Sequence, residues 1–168
     1  MVTFRKLEID DVEDYWKLLN ALDNESNYMM YEPKEREQKT NIRDLREDIE
    51  INVINGKDFL QIAVEDNKII GYIRAERGKF NRNFHTAYIV IGILKDRSGK
   101  GIGTAFFQDL DKWAEEVGII RLELTVEGRN NTARHLYEKS GFQIEGIRAR
   151  SMFVDGEYVD EYYMAKIL

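Results

Sequence analysis

The stretch Ser98-Gly99-Lys100-Gly101-Ile102-Gly103-Thr104 has the residue types and spacing to hold an anion. An apolar run, Tyr88-Ile89-Val90-Ile91-Gly92-Ile93-Leu94, comes before it, and an amphipathic run from Ile102 to Val117 comes after. Strand, glycine loop, helix is the order that turns unpaired amide N–H groups, and the positive end of a helix dipole, toward a phosphate. Glycine lets the backbone approach closely and take positive φ without a Cβ clash. Two phosphate loops fail on spacing. The pattern G-x-x-x-x-G-K-[ST] needs a glycine where Leu94 stands and a Ser or Thr where Gly101 stands. The pattern G-x-G-x-x-G ends on Thr104 when started at Gly99 and on Phe106 when started at Gly101. A glycine-rich turn with no ligand is the other reading of this stretch taken alone.

A second constellation lies downstream: Leu122-Glu123-Leu124-Thr125-Val126, then Asn130-x-x-Ala133-x-x-Leu136-Tyr137-Glu138-Lys139-Ser140-Gly141-Phe142. Together the two stretches resemble the GNAT superfamily of N-acyltransferases, whose acyl-CoA loop reads [QR]-x-x-G-x-[GA]. Gly101 and Gly103 fill the glycine slots; Ser98 stands in the first slot, with Arg97 one residue early. The resemblance covers residues 59 to 168 well and the first 58 in outline.

What the resemblance implies is acetyl transfer from acetyl-CoA to a primary amine of a small molecule or a protein, by direct attack in a ternary complex. The backbone of Gly99, Lys100, Gly101, Ile102, Gly103 and Thr104 would face the cofactor's pyrophosphate. Ile91, Gly92, Ile93 and Leu94 would pair with its pantetheine arm where the strand splays from its neighbour, and the N–H of Ile93 or its neighbour would polarise the thioester oxygen. Asn130 would hydrogen-bond the same arm. Tyr137 matches the general acid: a phenol titrating near ~10 is protonated at neutral pH and can donate to an alkylthiolate of similar basicity. Apart from the resemblance, a glycine inside a strand marks a bulge or a close backbone approach; for Gly92, tight packing on a neighbouring aromatic is the other reading.

The resemblance places acceptor recognition in the segment around Asp23 to Pro33, with Tyr28, Met29 and Glu32, and at Tyr88 and Thr125. Relatives carry a carboxylate at one or other of the last two positions; this chain carries a tyrosine and a threonine. A lysine-like ammonium titrates near ~10.4, so freeing the amine at pH 7 costs about 4–5 kcal/mol and calls for a base, a water chain or a desolvating pocket. Glu25, Glu32, Glu123 and His85 remain as base candidates. A CoA-binding sensor without turnover is the alternative reading, supported by the missing carboxylates.

Composition narrows the class. A chain of 168 residues, 43% apolar, suits one domain, 1–168, around one core. No apolar run approaches the ~18 residues of a membrane span, and Met1 to Lys6 shows no signal-peptide core. The absence of cysteine removes disulfides and thiolate chemistry and suits a reducing cytoplasm. No metal site is expected: His85 has no partners, and His135 is expected on the exposed side of its helix. A net charge of −6 disfavours nucleic acid and suits a cationic substrate. A homodimer is expected by analogy with relatives.

The elements that must position these residues follow from periodicity. Val2 to Leu7 reads as a strand. A helix capped by Asp10 or Asp11 carries Val12, Trp16, Leu19 and Leu22 on one face, and a second helix runs from about Lys34 or Thr40 to Ile54. Phe59–Glu65 and Ile69–Arg77 form a hairpin through Asp66-Asn67-Lys68. After the strand ending at Leu94 come the helix to Val117, a strand at Arg121–Val126, a short helix from Thr132 to Lys139, and strands at Phe142–Phe153 and Tyr158–Ile167. The expected fold is α/β (α+β): a mixed, strongly twisted sheet of about seven strands, flanked by helices on both faces and splayed at the middle to admit acyl-CoA.

Overall fold

In the computed structural model, which describes residues 1–168, seven strands form one open sheet. They are β1 (Thr3–Lys6), β2 (Phe59–Glu65), β3 (Lys68–Arg77), β4 (Thr86–Ile93), β5 (Arg121–Glu127), β6 (Gln143–Val154) and β7 (Glu157–Ile167), hydrogen-bonded in the order β1-β2-β3-β4-β5-β7-β6. β4 and β5 run parallel, whereas β1–β2, β2–β3, β5–β7 and β6–β7 are antiparallel, so the sheet is mixed as expected. Five α-helices accompany it: α1 (Val12–Glu25), α2 (Glu35–Lys39), α3 (Ile42–Asp48), α4 (Ile102–Val117) and α5 (Asn131–Lys139). No helix is long and apolar enough to cross a membrane. The chain forms two compact units, Met1–Glu76 with Val90–Phe106, and Arg77–Ile89 with Phe107–Leu168.

In the first unit, β2 and β3 are buried along nearly continuous runs, the pattern of strands covered on both faces. Their hairpin turns at Asp66 and Asn67, both at positive φ (51° and 60°), as a two-residue primed turn requires. On α1 the buried stripe is Val12, Tyr15, Leu18, Leu19 and Leu22; Trp16, expected on it, is only half-buried. Asp11 holds the N-cap position but does not cap with its side chain. Its carboxylate accepts the Glu8 N–H at 2.8 Å and two Arg5 nitrogens at 2.7 and 2.8 Å. The single helix expected up to Ile54 is three pieces: α2, α3 and a π-helical turn over Ile49–Ile54. Asn41 makes the break. Its backbone is extended, and its side chain accepts the Asp44 N–H at 2.9 Å, which starts a new helix instead of continuing one. Arg74 on β3 ties the π-helical turn down, donating to Asp48 at 2.6 and 3.0 Å and to Asp58 at 3.0 Å. Burial pulls the Arg74 guanidinium pKa down, but hydrogen bonds and charge from Asp48 and Asp58 outweigh it and hold the group above its ordinary value.

In the second unit, β5 buries Leu122, Leu124 and Val126 as its alternation predicts. It pairs with β7 over its whole length, from Arg121↔Ile167 to Glu127↔Glu161. Its parallel pairing with β4 covers only Thr86–Tyr88 against Arg121–Glu123. Phe107, Tyr137 and Phe142 form an edge-packed aromatic cluster with centroids 5.5 to 6.2 Å apart. Arg77 lies 3.6 Å over the Phe84 ring and donates to the Val117 carbonyl at 3.0 Å, at the C-terminal end of α4. β6 is exposed along most of its length, at the edge of the sheet.

Candidate active site

The glycine loop belongs to the first unit. β4 ends at Ile93, a 3-10 turn spans Lys95–Arg97, and α4 opens at Ile102. Gly99 and Gly101 adopt φ of 74° and 82°, and a Cβ on either would meet no atom within 4 Å. Glycine is therefore there for its backbone conformation and for the open space above it, not for packing. The first intrahelical bond is Ala105 N–H to the Gly101 carbonyl, 3.1 Å, so the amides of Ile102, Gly103 and Thr104 precede the helix's own ladder. No acidic residue occupies the first turn of α4, whereas α1 carries Glu13 and Asp14 there. The end of α4 that an anion would approach thus has no carboxylate of its own to repel it.

Along β4 the burial alternates through Ala87 and Ile89, then slips by one residue so that Gly92 and Leu94 are the buried ones. Gly92 sits under two side chains: a Cβ there would lie 2.7 Å from Leu22 Cδ1 and 2.9 Å from Tyr72 Cε1. Packing on an aromatic, the second of the two sequence readings, is what the structure shows. The backbone of Leu94 is committed within the protein: its N–H donates to Ile70 at 3.0 Å and its carbonyl accepts from Arg97 at 2.9 Å. Leu94 is one of the four residues whose backbone groups the resemblance assigns to the cofactor arm, and both its N–H and its carbonyl are spent within the protein.

These observations predict a packing effect at Gly92. Gly92→Ala must displace a buried leucine or a buried tyrosine ring, an overpacking that costs about 1–3 kcal/mol. A thermal melt should therefore show Tm lowered by roughly 3–10 °C. An unchanged Tm would mean that Leu22 and Tyr72 yield freely.

The segment around Asp23 to Pro33, expected to meet the acceptor, also lies in the first unit. Residues 26–34 form neither helix nor strand. Tyr28 and Glu32 are exposed and Met29 is half-buried. Glu25, a base candidate, accepts the Lys95 N–H at 2.7 Å and so braces the entry to the glycine loop.

In the second unit Tyr88 and Thr125, singled out separately, come together: their hydroxyls are 2.8 Å apart. A neutral hydroxyl pair occupies the place where relatives were expected to carry a carboxylate. Glu123 is engaged by Arg121 at 2.7 Å, and both His85 and His135 are exposed. Asn130 caps α5, its side-chain oxygen accepting from Ala133 N–H at 3.2 Å, which leaves its NH2 as the free donor. The other end of α5 closes at Gly141 (φ 102°), with Phe142 N–H donating to the Tyr137 carbonyl at 2.9 Å and Gly141 N–H to Glu138 at 3.0 Å. Caps at both ends and the ring cluster with Phe107 and Phe142 fix Tyr137, which is 8% exposed.

The acetyltransferase (GNAT) family profile matches residues 16–142, spanning both stretches. The chain belongs to the GNAT family. The family is one of acetyltransferases. Among relatives, the chain is 31% identical over 110 residues to an L-amino acid N-acetyltransferase of Escherichia coli (strain K12), a match covering 63% of this chain and 66% of that protein. The alignment thus spans just under two thirds of that relative. It is 28% identical over 160 residues to the spermidine N(1)-acetyltransferase of the same strain, covering 94% of this chain and 81% of that one. Among solved structures, a GNAT-family acetyltransferase from Streptococcus pneumoniae superposes with a TM-score of 0.92 at 25% identity, covering 100% of this chain and 99% of the other.

The GNAT loop fits the group the family uses. The open space over Gly99 and Gly101, the free amides at the start of α4 and the missing first-turn acid are what a pyrophosphate needs. Sequence reasoning missed one feature of the segment around Asp23 to Pro33, the buried pair of Asp23 with Arg36. The two residues are 13 apart and share no periodicity, and Asp23 looks like a surface acid in a polar stretch. Arg36 donates from Nε at 2.6 Å and Nη2 at 3.1 Å to the two carboxylate oxygens. Burial pulls the Arg36 pKa down, but the bond and charge of Asp23 leave it above its ordinary value. Tyr72 nearby is pushed up to about 12 by burial, so its hydroxyl stays neutral at pH 7.

Proposed function

We propose that this GNAT domain, residues 1–168, moves the acetyl group of acetyl-CoA to a primary amine of a small molecule by direct attack in a ternary complex, with Tyr137 as general acid. Acetyl-CoA supplies the activated acyl group as a thioester. The observation that carries the reading is the start of α4: glycines at positive φ, a bare surface above them and a first turn free of carboxylate. In this reading the amides of Gly99 to Thr104 bind the pyrophosphate, with Lys100 adding charge. The backbone of Ile91 to Ile93 and the Asn130 amide orient the pantetheine arm. The Ile93 N–H polarises the carbonyl whose carbon the amine attacks. As the C–S bond breaks, the Tyr137 hydroxyl gives its proton to the departing sulfur. The amine's proton leaves to water or to a carboxylate.

In this reading Tyr28, Met29 and Glu32 are acceptor contacts, as are Tyr88 and Thr125, whose hydroxyl oxygens can accept a hydrogen bond from an ammonium. An amino acid or a polyamine is the favoured class. The acidic balance of the chain and the acceptors named for the two Escherichia coli relatives support it. Protein amines are the wider alternative. The test is thiol release from acetyl-CoA with a panel of L-amino acids, polyamines, aminoglycosides and lysine peptides. Turnover of one class names the acceptor. Tight acetyl-CoA binding with silence across the panel would favour the sensor reading, to which the absence of a carboxylate at Tyr88 and Thr125 lends weight.

A cytoplasmic homodimer completes the proposal. Ile147, Phe153 and Tyr158, which share one face of β6 and β7, are each more than 60% exposed, an apolar surface that a second copy would cover. Light scattering should return twice the chain mass of 19.8 kDa. A monomer at ~50 μM would remove the dimer from the proposal, that concentration already exceeding a typical μM dissociation constant.

A further inference from the structure

We propose that the Asp23–Arg36 ion pair is a positioning clamp for the amine acceptor, holding residues 26–35 in the shape that the acceptor meets. The inference rests on the reading above that Tyr28, Met29 and Glu32 contact the amine.

The segment has little else to hold it. Its local bonds are short-range: Tyr28 N–H to Ser26 Oγ at 3.1 Å, Glu32 N–H to Glu35 Oε1 at 3.1 Å, and Glu35 N–H to the Glu32 carbonyl at 3.1 Å. Met30 is 72% exposed, and α2, five residues long, buries none of them. A helix that short does not sustain itself in water. Lys34 before it is held at φ 68°, an uncommon conformation for a lysine. Against this, Asp23 is 1% exposed in the last turn of α1. It receives the Arg36 fork on both oxygens, the geometry in which a guanidinium is most directional. The same guanidinium lies 4.7 Å over the ring of Tyr31, inside the segment. One side chain therefore closes the loop onto α1 at a buried point and folds the segment's middle onto that closure. Asp23 adjoins Leu22, whose methyl rests over Gly92. The clamp is thus rooted in the same turn of α1 that packs against β4.

The role is one of position, so its signature is a change in amine KM and not in chemistry. Arg36→Lys keeps the charge but loses the fork and the flat stack on Tyr31. Tyr31→Leu removes the ring and leaves the buried pair intact, so it keeps the question answerable if Arg36 variants fold poorly. The measurements are steady-state kinetics, with the panel amine that wild type uses best, and amide hydrogen exchange. Both variants should raise amine KM about five- to ten-fold, with kcat and acetyl-CoA KM within about two-fold of wild type. Exchange over residues 26–36 should speed about ten-fold or more, with β2 and β3 amides unchanged. Unchanged exchange in that segment would overturn the clamp. Faster exchange with unaltered amine KM would overturn its role in acceptor binding, as would acetyl-CoA KM rising in step. A wild type that turns over no amine would instead bring down the acetyl-transfer reading, while the exchange measurement still decides whether the pair holds the segment.

Discussion

Tyr137→Phe should lower kcat about 10²-fold while leaving acetyl-CoA binding within about two-fold of wild type, the result expected if its hydroxyl is the general acid. The substitution suits the question because the ring can stay where it is. Tyr137 packs 5.8 Å from Phe107 and 6.2 Å from Phe142, and phenylalanine keeps both contacts. The helix that carries it is closed at one end by Asn130 and at the other by Gly141, so the backbone has no cause to move. A fall in kcat with calorimetric acetyl-CoA affinity and Tm preserved assigns the proton to this hydroxyl. If acetyl-CoA affinity fell in proportion, Tyr137 would be a binding residue. If kcat held, the leaving thiolate would take its proton from water. A donor thioester whose leaving thiol has a low pKa gives a further check: its thiolate departs without a proton, so that substrate should lose much less activity in the variant.

Much of the architecture was legible because its signals are local. The helix Ile102–Val117 is bounded as read, since glycines stand at both ends and an apolar stripe lies between. The β2–β3 turn follows from Asp66-Asn67, two residues that tolerate positive φ. The region from Lys34 to Ile54 was less legible. Ile42, Leu45, Ile49 and Val53 keep a helical beat straight through the change from α to π winding, and the one contrary signal, Asn41, is a single cap residue. The stripe on α1 was drawn through Trp16, when Tyr15 and Leu18 fit the buried arc better. At the site the same division holds. Glycines and the capped helix of Tyr137 announce themselves in sequence, because their constraints are satisfied within a few residues. The pairs Asp23–Arg36 and Arg74–Asp48 do not: 13 and 26 residues separate their members, and a buried charge looks in sequence like any surface charge. Nor does sequence show that Tyr88 and Thr125, 37 residues apart, share a hydrogen bond.

Gly101→Ala should weaken acetyl-CoA binding roughly 10–100-fold, and Gly118→Ala should leave it unchanged, although the two positions are alike in local geometry. Gly101 has φ 82° and Gly118 has φ 79°, and a Cβ on either meets no atom within 4 Å. Alanine at positive φ costs about 1–2 kcal/mol at each, so both variants should lose a few degrees of Tm. The difference lies in what the backbone is for. Gly118 closes the far end of α4, where its own N–H donates to Glu115 at 3.4 Å and the Ile119 N–H donates to the Ala114 carbonyl at 2.8 Å. Gly101 opens the near end, and its carbonyl receives the first bond of the helix from Ala105. Relaxing φ at Gly101 turns the neighbouring amides away from a bound pyrophosphate and sets a methyl group in the space it would occupy. Losing one charge-assisted bond there is worth about 1.5–3 kcal/mol, which is the source of the expected factor. Calorimetric titration of both variants with acetyl-CoA reads it directly. Equal losses would make the effect one of general stability, and equal retention would move the pyrophosphate away from this loop. Only a loss confined to Gly101 ties the cofactor to the start of α4.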